Sequence, residues 1–280
     1  MYTINAQQKA LYDENGYLLV KALFSDAEVS FYKQHFMELR QESRPGDFSG
    51  VDLQSADPLK KYPRMIHMHR WDEASLKWMI DSRLNAVMTA LLGREPYAVQ
   101  TMFYFKPAGA RGQALHQDQY YLRAQPGTCM AAWMAADPCD EENGCLEVVP
   151  GSQNWPILCT TKADTTQSFT DITVPIPAGQ KSLPIVMDAG DVLFFNGSLV
   201  HGSLPNRSSD RFRRALIGHY IEGEARQVHQ WYHPVLRMDG TEVEFGSSET
   251  GDKCGVWVER DGTPAIELQT IVPAGAPASE

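Results

Sequence analysis

Beyond residue 95 the chain breaks into short β-type runs, at 98–105, 129–135, 146–149, 185–187, 191–195 and 214–221, punctuated by Gly, Pro, Asn and Asp. Strands this short cannot bury an apolar face alone, so they predict an antiparallel sandwich or barrel. The first 95 residues follow a different period. Residues 5–14 predict a short helix ending near Asn15-Gly16, and 17–20 a strand. Ser25 or Asp26 caps a longer helix with Val29, Tyr32, Phe36 and Leu39 at helical spacing. A further helical stretch spans 72–92, where Leu76, Met79, Ile80, Leu84, Val87 and Leu91 form the stripe and Gly93 the stop. The predicted fold is mainly β with flanking helices, the helices first and then a double-sheet core. One domain, 1–280, would comprise a helical part (1–95), the β core (96–222) and a C-terminal extension (223–280). The polar stretch 43–63 reads as a long loop and 43–72 as a lid region; the Pro/Ala/Gly-rich residues 273–280 are expected to be mobile.

Charge excludes some functions. Lys and Arg number 25 against 35 Asp and Glu, a net −10, which disfavours nucleic acid and anionic membrane surfaces as partners. No apolar run approaches the roughly 20 residues that span a bilayer. The N-terminus shows no basic segment followed by an apolar core, so a cytoplasmic location is expected. Five cysteines, at 129, 139, 145, 159 and 254, are odd in number and lack Cys-x-x-Cys spacing. They are expected to be free thiols in a chain long enough to need no disulfide.

Chemistry concentrates in two segments. His116 and Asp118 are two residues apart, so on a strand their side chains share a face. His201 follows the apolar run ending in Phe194-Phe195 and precedes a glycine. Two imidazoles and one carboxylate form a facial triad that leaves positions open on an octahedral metal, the pattern of non-heme Fe(II) oxygenases. His-x-Asp is a weak signal alone, and a lone histidine is weaker still. Arg213, at the start of an apolar strand, strengthens the reading, because a buried guanidinium requires an anion and forks onto a carboxylate. Arg211 and Arg214 compete for that role.

The ordered blocks His116-Gln117-Asp118, Trp133, 143–152 (NGCLEVVPGS), 190–195 (GDVLFF), 201–206 (HGSLPN) and 213–216 (RRAL) resemble the phytanoyl-CoA dioxygenase family of Fe(II)/2-oxoglutarate-dependent oxygenases over about residues 10–222. The resemblance implies a double-stranded β-helix (jelly roll, cupin-like) core. It implies His116, Asp118 and His201 as both catalytic residues and iron ligands. Arg213 would bind the distal carboxylate of 2-oxoglutarate, Ser203 would add a hydrogen bond to it, and Lys106 and Trp133 would line its pocket. The cofactors implied are Fe(II), 2-oxoglutarate and O2, with succinate and CO2 as co-products. Asp118 stands where related halogenases lack a carboxylate, which argues for hydroxylation or another oxidation of a small-molecule substrate. Gln117 is expected to face the other side of its strand. His67 and His69 read as a lid or surface pair. Tyr104, Tyr120, Tyr121, Trp231 and Tyr232 are candidate aromatic walls, with core packing the more frequent role for such residues. No acyl-CoA site is legible. The alternative is a cupin-like metalloprotein of non-oxygenase function, such as an isomerase or a binding protein, which would leave Arg213 without a task.

Overall fold

The computed structural model describes residues 3–42, 50–249, 251 and 253–270. Helix α1, Ala6–Asn15, opens with a capping box between Asn5 and Gln8 and stops at Gly16, whose φ of 81° suits glycine. Helix α2, Asp26–Leu39, has a second capping box from Ser25 and Glu28. A single turn, α3 (Pro58–Lys61), interrupts the expected loop. The stretch expected as one helix over 72–92 is two, α4 (Glu73–Met79) and α5 (Ser82–Leu92). Asp81 divides them, because its carboxylate accepts from Arg83 N and starts a new helix.

Two antiparallel sheets carry the core. The larger runs Tyr17–Val20, Val192–Asn196, Cys129–Ala135, Ala215–Ile221, Tyr97–Tyr104, Val235–Leu236 and Glu242–Val243, with Met65–Ile66 also on the Tyr97–Tyr104 strand. The smaller runs Gln113–His116, His201–Ser203, Leu146–Val148 and Leu183–Ile185. Their packing is the double-stranded β-helix. Strand 129–135 shows how: Met130, Ala132 and Met134 join the cluster under the helices, while Ala131, Trp133 and Ala135 join the cluster between the sheets. Both faces are covered, so every residue of this strand is buried. Helix α2 docks through Phe36, fully buried and stacked on Phe103 with ring centroids 4.3 Å apart. Phe36→Ala would cost about 3–5 kcal/mol through lost transfer energy and the cavity left behind.

The expected strand at 185–187 lies at Leu183–Ile185. The C-terminal part holds a hairpin, Lys253–Arg260 with Thr263–Thr270, that the sequence did not signal because its second strand is mostly exposed and carries Pro264. Residues 273–280 and the segment 43–49 lie outside the described residues. The expectation of five free thiols is corrected: Cys159 and Cys254 form a disulfide, with Cα atoms 4.9 Å apart, while Cys129, Cys139 and Cys145 are free and buried. The chain at 157–159 runs alongside Gly255 through Cys159 N to Gly255 O and Gly255 N to Ile157 O, both 2.8 Å. That pairing joins positions 95 residues apart, which no local pattern announces. No helix among the described residues is long and apolar enough to cross a membrane.

Candidate active site

The smaller sheet sets His116 directly opposite His201. The register shifts between His201 and Ser203, where Ser203 pairs with Gln113, so a bulge re-aims the side chains beside the site. The expected route to Asp118 is not the one used. His116 ends its strand, and Asp118 has helical backbone angles (φ −62°, ψ −33°) at the start of a single turn, α6 (Gln119–Leu122). A turn, rather than strand alternation, brings the carboxylate round. Gln119 N donates to Gly197 O at 2.8 Å, tying that turn to the segment leading into His201. Gln117 points away and fastens the neighbouring loop, donating to Ser198 O and accepting from Leu158 N.

Ligand atoms of His116, Asp118 and His201 all lie within 4.8 Å of one another. Asp118 Oδ1 is 3.5 Å from His116 Nε2, and Oδ2 is 3.7 Å from His201 Nε2. Each histidine gives its Nδ1 proton to a backbone carbonyl, His116 to Ala114 O at 2.9 Å and His201 to Leu199 O at 3.0 Å. Both Nε2 lone pairs therefore face the shared centre. Burial pulls the His201 imidazole down to about 4, so it is neutral at physiological pH. Burial pushes the Asp118 carboxyl up, but His201 and His219 outweigh it and hold Asp118 well below the usual carboxylate range. A neutral His201 imidazole beside an ionised Asp118 carboxylate is the protonation state a divalent cation needs of those two ligands.

Two neighbours were not anticipated. His219 Nε2 donates to Asp118 Oδ2 at 3.0 Å, and Gln113 Nε2 lies 3.0 Å from His116 Nε2. The only hint of His219 in the sequence is an imidazole inside an apolar run.

The structure separates the three arginines. Arg211 is spent on Asp140 and Glu142 near the surface, at 2.8 and 3.2 Å. Arg214 grips Asp137 through two bonds of 2.7 and 2.8 Å. Arg213 is 2% exposed and has no carboxylate partner among the described residues. Its Nε donates to Gly144 O at 3.0 Å, its Nη1 is buried without a partner, and its guanidinium lies 5.1 Å over the Trp133 ring. Lys106 Nζ donates to Gly144 O, Ser203 Oγ and Leu204 O. Burial, with Arg213 adding, drives this lysine well below its usual range. Ser203 Oγ also accepts from Gln113 N at 3.2 Å, so both its lone pairs are used and its proton remains to donate.

A cavity of about 290 Å³ opens on the centre. Of the residues expected around 2-oxoglutarate, Trp133 is on its wall; Arg213, Ser203 and Lys106 cluster around the Gly144 carbonyl beside that ring. Of the expected aromatic walls, Tyr104, Tyr121, Trp231 and Tyr232 line it and Tyr120 does not. His67 and His69, read as a lid or surface pair, are instead 2% and 5% exposed. Residues 65–66 pair with the larger sheet and Met65 and Met68 are fully buried, which draws both histidines inward.

A family model described as phytanoyl-CoA dioxygenase (PhyH) matches residues 12–215. The chain belongs to the phytanoyl-CoA dioxygenase family. It is an Fe(II)/2-oxoglutarate-dependent dioxygenase, using iron, 2-oxoglutarate and O2. The peroxisomal phytanoyl-CoA dioxygenase of Bos taurus is 26% identical over 239 residues, covering 80% of this chain and 71% of that protein. Phytanoyl-CoA dioxygenase 1 of Oryza sativa subsp. japonica is 28% identical over 255 residues, covering 79% and 90%. Among solved structures, EctD from S. alaskensis with 2-oxoglutarate and 5-hydroxyectoine superimposes with a TM-score of 0.64 at 22% identity, over 80% of this chain and 78% of that one. EvdO2 from Micromonospora carbonacea var. aurantiaca complexed with 2-oxoglutarate gives 0.62 at 19%, over 79% and 92%. At such identities these two share the fold. The cupin-like non-oxygenase alternative is not favoured for this member of the dioxygenase family.

Proposed function

We propose that His116, Asp118 and His201 hold Fe(II), and that Arg213 and Ser203 take the distal carboxylate of 2-oxoglutarate. The dioxygenase would hydroxylate, or otherwise oxidise, a small-molecule metabolite. The observation that carries this assignment is a buried His-Asp-His set beside a buried guanidinium whose Nη1 has no partner. The donor set fits the ion: two imidazoles and one carboxylate leave positions open for a bidentate organic acid, and the Gln113 amide, 3.0 Å from His116 Nε2, would yield that lone pair to the metal. The orphaned Nη1 fits the acid, since a buried guanidinium without an anion is costly and a carboxylate would satisfy it.

Iron and 2-oxoglutarate, when bound, supply O2 activation and yield succinate and CO2. The chain's own residues do the positioning. The carbonyls of Ala114 and Leu199 fix the two imidazole tautomers, and His219 fixes the carboxylate. Lys106 and Gln113 N occupy the lone pairs of the Ser203 hydroxyl, which leaves its proton for the carboxylate of 2-oxoglutarate. Trp133 packs against Arg213 and keeps water from the guanidinium face. A cytoplasmic location belongs to the same proposal; the Cys159–Cys254 bridge is the observation that weighs against it.

The test is anaerobic titration of the iron-loaded protein with 2-oxoglutarate, followed by a succinate-release screen over a metabolite library. A weak visible charge-transfer band and substrate-stimulated succinate are expected. Iron and 2-oxoglutarate binding unaltered by His116→Ala and Arg213→Met would overturn the assignment.

A further inference from the structure

Arg64 stands where the active-site cavity meets a second one. The inner space of about 290 Å³ and its neighbour of about 410 Å³ share Arg64, Ile66 and Tyr104 as walls. Arg64 Nη1 donates to Tyr104 OH at 3.1 Å, and the guanidinium lies 5.7 and 5.8 Å from the rings of Tyr104 and Phe169. It forms no ion pair among the described residues. The inner wall offers one carboxylate, Asp118, already engaged by histidines. Among the described residues the outer wall offers one, Asp52, which accepts from Gln54 N. Lys60 and Arg111 add positive charge to that outer wall, although Arg111 pairs with Asp57 at 2.8 Å. Within a chain of net charge −10, an exposed cation with no ion pair among the described residues thus stands at the junction of the two cavities.

The charge of the loaded centre makes Arg64 more pointed. With the charge of Lys106 disfavoured by burial and by Arg213, the two positive charges of the ion and the one of Arg213 balance Asp118 and the dianion of 2-oxoglutarate. Arg64 is left over, and its fork matches one further oxyanion group. The rest of the wall suits an apolar body. Trp231 is 51% exposed and lines the inner cavity with Ile66, Tyr121 and Tyr232. An exposed indole held at a cavity mouth is a stacking surface.

We propose that Arg64 binds the anionic group, carboxylate or phosphate, of a substrate whose apolar body packs against Trp231 and Tyr121. The proposal rests on the iron and 2-oxoglutarate reading above and names the substrate class for that site: an organic anion with a flat or aliphatic apolar portion. Arg64 is a binding and specificity residue, and it touches the substrate rather than the cosubstrate.

The experiment uses the full chain loaded with Mn(II) and 2-oxoglutarate, read by tryptophan fluorescence and calorimetry. Probes come in matched pairs: 3-phenylpropionate with 3-phenylpropionamide, octanoate with octanamide, and phenyl phosphate with phenol. At least one anion should bind ten-fold or more tightly than its neutral partner, and the carboxylate and phosphate arms identify which oxyanion is preferred. Arg64→Met should abolish that preference while 2-oxoglutarate affinity stays within two-fold, and Arg64→Lys should restore part of it. Equal binding of anion and neutral partner, or no binding of any probe, would overturn the proposal. So would an Arg64→Met loss as large for 2-oxoglutarate as for the probe, which would place Arg64 on the cosubstrate. If wild type fails to bind 2-oxoglutarate with metal, the underlying reading falls and this proposal with it.

Discussion

His219 Nε2 and Asp118 Oδ2 lie 3.0 Å apart, a hydrogen bond between positions 101 residues apart in the chain. It fixes the orientation of the one carboxylate in the proposed ligand set, and both residues are nearly fully buried. Groups that orient a ligand typically change metal affinity or activity by about 10- to 100-fold when removed. His219→Phe is therefore expected to weaken Mn(II) or Fe(II) binding by about that factor, read by calorimetric titration. His219→Gln, which keeps an N–H donor, should recover part of it. Unchanged affinity in His219→Phe would show that the turn at Asp118 orients the carboxylate unaided.

Arg213 and Arg211 are two residues apart yet should behave oppositely. Losing a hydrogen bond to a charged group costs about 1.5–3 kcal/mol, so Arg213→Met should raise the KM for 2-oxoglutarate about 10- to 100-fold. Arg211 sits in a half-exposed pair with Asp140, of a kind worth about 0–1 kcal/mol, so Arg211→Gln should leave that KM within about two-fold. Steady-state succinate assays on both variants decide it; a larger effect from Arg211→Gln would reverse the assignment.

Acid should destabilise the protein through His67 and His69. Burial first, and then Arg70, brings each imidazole down to about 3. The native state thus refuses protons that the unfolded chain accepts below an ordinary histidine pKa of about 6.5. Stability contributed by the neutral rings is complete above that value and is lost as pH falls from about 6.5 towards 3. At pH 5.5 the loss is about 1.4 kcal/mol per histidine. Urea unfolding at pH 7.5 and 5.5 should show it, and His69→Gln should reduce the difference by about half. Equal unfolding free energies at the two pH values in wild type would contradict the burial argument.

The disulfide predicts a thiol count. In denaturant without reductant, three thiols should react, those of Cys129, Cys139 and Cys145, and five after reduction. Cys254→Ser should lower the thermal midpoint, since a native bridge is typically worth about 2–4 kcal/mol. Five reactive thiols without reductant would show the bridge does not form under those conditions.

Local chemistry made much of this molecule legible from its sequence. Ser25 or Asp26, Gly16 and Gly93 mark helix ends in the sequence because capping acts within a few residues, and the structure places the cap at Ser25. The run 129–135 reads as a strand because both its faces are covered by apolar layers. Asp81 shows the limit even there: a continuous stripe of apolar residues hid a second cap, because periodicity records burial and not the continuity of hydrogen bonds.

The sequence by itself determined the order of helices before a β core, located the longer core strands, and nominated His116, Asp118, His201 and the competing arginines. Only the tertiary structure decided that Asp118 arrives by a turn, that His219 supports it, that Arg213 alone of three guanidiniums is buried without a carboxylate, and that Cys159 meets Cys254. The reason is one of range. Propensity, capping and alternation are set by neighbours along the chain, whereas these contacts join segments that approach only when two sheets close on one another, and pairing at that distance leaves no periodic trace.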